Sequence, residues 1–375
     1  MLIVWGVICA LYALLIIALL YGFSKVKTYK PSKKIEAIGF SIIIPFKNEA
    51  EHLPLVLTAL KQLDYPRGLW EVLLVNDNST DTSEKVVTDF MSANPEYNIH
   101  MLHSMGASGS PKKDAITLAI SQAHFDWVVT TDGDCLVPKK WLETLSGFIT
   151  KQQPKMVAMP VTYVVNNTFL DKFQLIDFLS LMGSTIGGFG LKKPFMCNGA
   201  NLAYEKSTFY KVKGFEGNNH ISSGDDIFMM EKIAHKYPEG VHYLKSEKAI
   251  VTTIPQPTFK KLLHQRKRWA AKASVYKNPW SQLVAVIVLL MNLSLPVFTV
   301  LSMLGVFGFK WLLLGFAVKF NLDFFLIYTT AGFFKQQQLL RTYYLAAFIY
   351  PGFCCYVALS SFFGSYNWKG KTFKK

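Results

Sequence analysis

Two hydrophobic patterns divide the chain: long uncharged apolar stretches at both ends, and short apolar runs punctuated by polar residues between them. Leu2 to Phe23 carries no charge and is long enough to span a bilayer, and the first basic residues, Lys25, Lys27, Lys30, Lys33 and Lys34, follow it. A cleavable signal peptide would put its charges ahead of the apolar run, so residues 1–24 read as a retained anchor, with the amino terminus outside and the next domain in the cytoplasm. A second apolar block covers residues 281–364, with candidate spans at Gln282 to Phe309, Trp311 to Phe334 and Tyr343 to Phe363. Lys319 and Asp323 interrupt the second of these and Pro351-Gly352 breaks the third, which leaves two or three spans before the basic tail, 365–375. Three spans after a cytoplasmic domain put that tail outside, whereas its lysines favour the inside.

Residues 38–255 follow the other pattern. Phe40 to Ile44 is an apolar, β-branched run suited to the buried middle of a parallel sheet, and Pro45 is expected to end it. Leu53, Val56, Leu57 and Leu60 then recur at helical spacing. Trp70 to Val75 reads as a second strand, Asn76 to Asp81 as its polar exit loop and Thr82 to Met91 as a helix; Phe125 to Val129 is a further buried run. This alternation predicts one doubly wound α/β domain. Over 256–278, Phe259, Leu262, Leu263, Ala270 and Ala273 form an apolar stripe, which predicts an amphipathic helix in the membrane interface.

Composition agrees with this division. At 51% hydrophobic residues the 375-residue chain is too apolar for a wholly soluble protein and too polar for a pure membrane bundle. Its net charge of +15 bunches beside the apolar segments, at Lys25 to Lys34, at Lys260 to Lys272 and in the tail, a pattern that points to anionic lipid and away from nucleic acid. The five cysteines, Cys9, Cys135, Cys197, Cys354 and Cys355, have no ligand-like spacing and three sit in apolar segments, which argues against a zinc site or a disulfide framework.

Candidate chemistry sits where strands end. In Thr131-Asp132-Gly133-Asp134 two carboxylates one residue apart make a small cation site at the sheet's carboxyl edge, although turn chemistry alone accounts for such a triplet in isolation. Asp77 and Asp81 close a second strand, where a carboxylate accepts a base N–H or a ribose hydroxyl; Ser79 or Asp81 could equally cap the next helix. Asp225 and Asp226 precede the helix Ile227 to His235, as proton acceptor or as N-cap. Gln265, Arg268 and Trp269 share one helix face by their spacing, either offering charge and a stacking surface or anchoring the helix at the interface. Lys112 and Lys113, in a Gly- and Lys-containing segment, are candidates for phosphate contact or plain exposed charges. Cys197-Asn198-Gly199-Ala200-Asn201 suits close backbone approach to a ligand, or a turn.

Taken in order, Ser41-Ile42-Ile43-Ile44-Pro45-Phe46-Lys47-Asn48-Glu49, Val75-Asn76-Asp77-Asn78-Ser79-Thr80-Asp81, Asp132-Gly133-Asp134, Ser223-Gly224-Asp225-Asp226 and Gln265-Arg266-Lys267-Arg268-Trp269 resemble the motifs of the inverting family 2 glycosyltransferases. The layout resembles their membrane-integrated members, ceramide glucosyltransferase-like and polysaccharide synthase-like. The resemblance covers about residues 40 to 270. It implies an α/β fold of the glycosyltransferase-A type, a Rossmann-like nucleotide-sugar-binding domain with transmembrane helices, and a metal-dependent hexosyltransferase. It assigns catalysis to Asp226 with Asp225, and Mg²⁺ or Mn²⁺ to Asp134 helped by Asp132. To the nucleotide sugar it assigns Pro45, Lys47, Glu49, Asp77, Lys113, Asp132, Gln265, Arg268 and Trp269. The implied donor is UDP- or GDP-linked, the acceptor a lipid or lipid-linked glycan of the cell envelope, and the location a bacterial inner membrane. Two departures stand out: the family often has two acids where this chain has Asn76-Asp77, and Asp225 stands where many relatives carry Glu. The alternatives are a processive polysaccharide synthase and, from other classes, a membrane nucleotidyl- or phospho-transferase or a non-catalytic nucleotide-sugar-binding partner.

Overall fold

The computed structural model describes residues 1–31, 36–104, 106, 108–219, 221, 223–273, 278–362, 366–368 and 371–373. Lys33, Lys34 and Phe363, named above, and Lys369, Lys374 and Lys375 of the basic tail lie outside the described residues. The chain forms two units, one from Lys27–Val164 with Cys197–Ile254 and the other from Met1–Val26, Val165–Met196 and Pro255–Lys375.

The first unit is a mixed α/β sheet. Its strands are β1 (Phe40–Phe46), β2 (Trp70–Asn76), β3 (Ile99–His103), β4 (Trp127–Thr130), β5 (Met156–Ala158), β6 (Val161–Tyr163), β7 (Leu202–Glu205), β8 (Val241–Tyr243) and β9 (Val251–Thr253). Seven of them pair in the order β3-β2-β1-β4-β7-β5-β8, and β6 pairs with β9 alone. β3, β2, β1 and β4 run parallel, and β7 is antiparallel to both β4 and β5. The central strand is apolar on both faces because helices cover both: Phe40, Ile42, Ile43 and Ile44 are fully buried. The helix Leu53–Lys61 follows β1 and buries the predicted Leu53, Val56, Leu57 and Leu60. Ser83–Ala93 joins β2 to β3, and Pro111–Gln122 joins β3 to β4.

Pro45 does not end β1; the strand continues to Phe46, opposite Asn76. Pairing with β4 stops at Ile43, so the missing N–H of Pro45 falls where only one neighbour remains. Two parallel strands therefore run on past β4, and their exit loops meet beyond it.

The second unit is helical. Its helices are Leu2–Lys25, Phe169–Gly190, Phe259–Ala273, Pro279–Met303, Phe309–Phe334 and Tyr343–Phe362. Four segments are long and apolar enough to cross a membrane: Leu2–Lys25, Pro279–Met303, Phe309–Phe334 and Gln337–Ser361. Three of the four follow the α/β unit in the chain. Pro351 lies inside its helix and does not break it, as neighbouring helices commonly permit in such bundles. Lys319 and Asp323 do not interrupt theirs either, because they pair one helical turn apart and Asp323 also accepts from the Tyr12 hydroxyl.

One helix departs from the sequence reading. Phe169–Gly190 falls within 38–255, yet it belongs to the helical unit and packs on Leu2–Lys25 and Phe309–Phe334. Asp171, Gln174 and Asp177 interrupt its apolar run but are buried with partners of their own. Gln174 donates to the Gln256 carbonyl at 2.9 Å and accepts from the Gln256 N–H at 2.8 Å. Against Leu2–Lys25 it makes backbone contact: a Cβ on Gly190 would stand 1.8 Å from the Gly22 carbonyl oxygen, and one on Gly187 2.5 Å from that of Leu19.

Candidate active site

The exit loops of β1 and β2 are laced together. Asn48 Oδ1 accepts from the Thr80 N–H at 2.8 Å, and the Asn48 N–H donates to Ser79 Oγ at 3.1 Å. Asp81 accepts from Ala50 N–H and Ser83 N–H, at 3.2 and 3.0 Å, and Ser83 Oγ accepts from the Glu49 N–H at 2.8 Å. Asn48 and Asn78 hold the left-handed turns that this needs, at φ of 52° and 51°, a conformation asparagine tolerates. Asp81 and Ser79 thus hold the loops, which answers the choice left open for Asp81 in favour of structure.

Asp77, just beyond β2, is placed by its own N–H donating to the Phe46 carbonyl at 2.9 Å. Lys47 Nζ stands 3.6 Å from its Oδ2. Its Oδ1 is buried and accepts no hydrogen bond from the described residues. Glu49 accepts from, or shares a proton with, His52 Nδ1 at 2.8 Å.

Beyond β4 the chain turns through the acidic pair. Thr131 N–H donates to Ile43 O at 3.1 Å, Cys135 N–H to Asp132 O at 3.1 Å, and Leu136 exchanges two backbone bonds with Thr252. Gly133 lies close to the β1 exit: a Cβ would meet Phe46 Cβ at 3.1 Å and Glu49 Cγ at 3.3 Å, so a side chain there would press on both neighbours. Asp132, Asp134 and Cys135 bring one potential ligand atom each within 4.8 Å of one another. Burial, then the neighbouring Asp134 and Asp132, push the Cys135 thiol well up, so it stays protonated and donates to Asp134 Oδ1 at 3.4 Å. The remaining oxygen donors suit a hard divalent cation.

Asp225 and Asp226 occupy the first turn of the helix Asp225–Lys236, after Gly224 at φ 84°. Asp226 accepts from Gly199 N–H at 3.2 Å and from Ile227 N–H at 2.8 Å. The 197–201 segment is therefore part of the site's wall: Gly199 O accepts from Thr130 Oγ1 at 2.8 Å, and a Cβ on Gly199 would come within 2.9 Å of Asp225 Oδ2. Asn201 is structural, accepting from Trp141 Nε1 and donating to two carbonyls.

Lys113 is displaced from its expected place at the donor phosphates. It is buried, and its ammonium donates to the carbonyls of Asn218 and Ile221 at 2.7 and 2.9 Å and lies over the Phe228 ring. Its neighbour Lys112 faces the acids instead, 2.7 Å from Asp132 Oδ1 and 3.3 Å from Asp225 Oδ2. Burial works against that ammonium's charge, but Asp132 and Asp225 outweigh it and hold the proton well above the ordinary lysine range. Periodicity could not choose between the two lysines, because each lies at helical spacing from the buried Ala115, Ile116, Ala119 and Ile120.

The α/β unit thus brings Pro45, Lys47, Glu49, Asp77, Asp132, Asp134, Asp225 and Asp226 to the ends of β1, β2, β4 and the start of one helix. Gln265, Arg268 and Trp269 lie on Phe259–Ala273, in the helical unit. There the unpredicted Arg266 is the organising residue: its Nε donates to Asp177 at 2.6 Å, Nη1 to Gln265 Oε1, and its guanidinium lies 4.2 Å over the Trp269 ring.

Residues 41–213 match the model of "Glycosyl transferase family 2". The chain is 24% identical over 262 residues to poly-beta-1,6-N-acetyl-D-glucosamine synthase of Staphylococcus epidermidis, covering 67% of this chain and 59% of that one. It is 25% identical over 240 residues to beta-monoglucosyldiacylglycerol synthase of Synechocystis, covering 61% and 46%. The chain thus spans only about half the length of these curated relatives. Among solved structures it is similar to a mannosyltransferase of Pyrobaculum calidifontis in complex with GDP-Man and Mn²⁺, at 18% identity and a TM-score of 0.61 over 94% of this chain and 99% of that one. That likeness shows the fold, the glycosyltransferase-A fold expected from the motifs. From Ser41 to Lys213 the chain carries a glycosyl transferase family 2 domain.

Proposed function

We propose that the protein is a membrane-bound inverting glycosyltransferase that moves a sugar from a UDP- or GDP-linked donor to a lipid or lipid-linked glycan. The observation that carries this reading is the convergence of two acidic pairs, Asp132 with Asp134 and Asp225 with Asp226, joined through Lys112 and Gly199. Asp77 Oδ1 would accept an N–H of the donor's base, while Lys47 holds the other carboxylate oxygen in place. Asp132 and Asp134 would hold Mg²⁺ or Mn²⁺, whose charge offsets that of the departing diphosphate. Asp226, oriented by Gly199 N–H, would take the proton of the acceptor hydroxyl as its oxygen attacks the anomeric carbon opposite the diphosphate.

The apolar helices and the basic residues after the first of them support a lipidic acceptor and a cytoplasmic catalytic unit. The name of the staphylococcal relative favours a second reading, repeated addition to a polysaccharide. Product length separates the two.

The test is nucleoside-diphosphate release by the detergent-purified protein with Mn²⁺ or Mg²⁺, a panel of nucleotide sugars and a membrane-lipid extract. Release from one donor, abolished by chelator and lowered at least ~10²-fold in Asp226→Asn, is the expected result. Release of pyrophosphate or nucleoside monophosphate would instead assign a nucleotidyl- or phospho-transferase.

A further inference from the structure

Lys112 is the only described lysine whose ammonium bridges the two acidic pairs. It lies 2.7 Å from Asp132, the first acid of the β4 exit loop, and 3.3 Å from Asp225, the first acid of the helix Asp225–Lys236; Asp226 adds to the same field. The wall behind is shaped to this contact, for a Cβ on Gly199 would stand 2.9 Å from Asp225 Oδ2 and 3.4 Å from Lys112 Nζ. Three carboxylates drawn this close repel one another, and one ammonium relieves that repulsion.

The same placement opposes a second cation. A divalent ion held by Asp132 would approach a fixed positive charge already bonded to that carboxylate. A bound diphosphate changes the balance, because its oxygens offer the ammonium another anionic partner.

Resting on the glycosyltransferase reading above, we propose that Lys112 is a built-in counter-ion: paired with Asp132 and Asp225, it competes with a divalent cation for Asp132 and transfers to the donor's diphosphate when metal and nucleotide bind together. Metal and nucleotide then bind cooperatively through this side chain. By linkage each raises the other's affinity by the same factor, and a neutral residue at position 112 removes part of that factor.

The experiment is Mn²⁺ binding to the full chain in detergent, followed by the electron paramagnetic resonance signal of free Mn²⁺, alone and with saturating UDP or GDP. Wild type is compared with Lys112→Met, Lys112→Gln and Lys112→Arg. Both neutral variants are expected to bind Mn²⁺ alone about tenfold more tightly than wild type, the scale of one unit charge removed from a few ångströms of a divalent ion. They should also gain less on adding nucleotide, while Lys112→Arg behaves as wild type. Equal or weaker Mn²⁺ affinity in the neutral variants, with nucleotide-dependent Mn²⁺ binding intact in wild type, overturns the proposal and leaves the glycosyltransferase reading standing. Absence of Mn²⁺ binding in every protein, with nucleotide present, overturns the metal site itself and the proposal with it. Using two neutral replacements of different polarity keeps a folding defect in one from deciding the outcome.

Discussion

Arg266 Nε donates to Asp177 Oδ2 at 2.6 Å between two side chains that are only 5% and 4% exposed. The pair fastens the helix Phe259–Ala273, which carries Gln265, Arg268 and Trp269, to Phe169–Gly190. Removing one partner strands the other as a buried charge, a loss of about 3–5 kcal/mol. Asp177→Ala and Arg266→Ala should each lower the thermal midpoint in detergent strongly. Arg266→Lys should recover little, because a lysine keeps the charge but not the planar group stacked 4.2 Å over Trp269. A midpoint unchanged in Asp177→Ala would show that the contact does not hold the helix.

Asp77 presents a buried oxygen without a hydrogen-bond partner among the described residues, beside the ion pair with Lys47. Asp77→Ala should raise the donor KM by about tenfold or more, the value of a charge-assisted hydrogen bond, with little change in kcat. Steady-state kinetics over donor concentration would check this. An equal fall in kcat and kcat/KM would place Asp77 in the chemical step instead.

Asp81 gives a pH signature. Burial acts to raise its carboxyl pKa, but hydrogen bonds from Ser83 and Ala50 outweigh it, and the group lies below the ordinary aspartate value. A depressed folded pKa means that its contribution is present above the unfolded value, near ~3.9, and fades as pH falls through the folded one. The midpoint difference between wild type and Asp81→Asn should therefore be largest at neutral pH and shrink below about pH 4. A difference constant from pH 7 to pH 3 would show that its charge is not what ties the loops.

The strands and their terminal acids were legible because both signals are local. Phe40 to Ile44 is continuous and β-branched, and Asp77, Asp132 and Asp134 follow such runs within a few residues. What stayed hidden depended on distant partners. Phe169–Gly190 reads as part of a soluble domain because Asp171, Gln174 and Asp177 dilute its hydropathy, and only residues such as Gln256 and Arg266 reveal why they are buried. Lys112 and Lys113 are adjacent, and nothing near them in the chain tells which one meets Asp225, more than a hundred positions away. Arg266 is the same case, since its role is defined by a carboxylate 89 residues earlier.

The glycine contact between Phe169–Gly190 and Leu2–Lys25 bears on how the protein is made. The ribosome delivers β1 to β4 first, but β4 is completed on its other edge only by β7, which emerges after Phe169–Gly190. Of that helix's two partners, Leu2–Lys25 is already synthesised when it emerges and Phe309–Phe334 is not. Biogenesis thus alternates between the two units, and the nascent chain cannot finish the α/β sheet as one uninterrupted stretch.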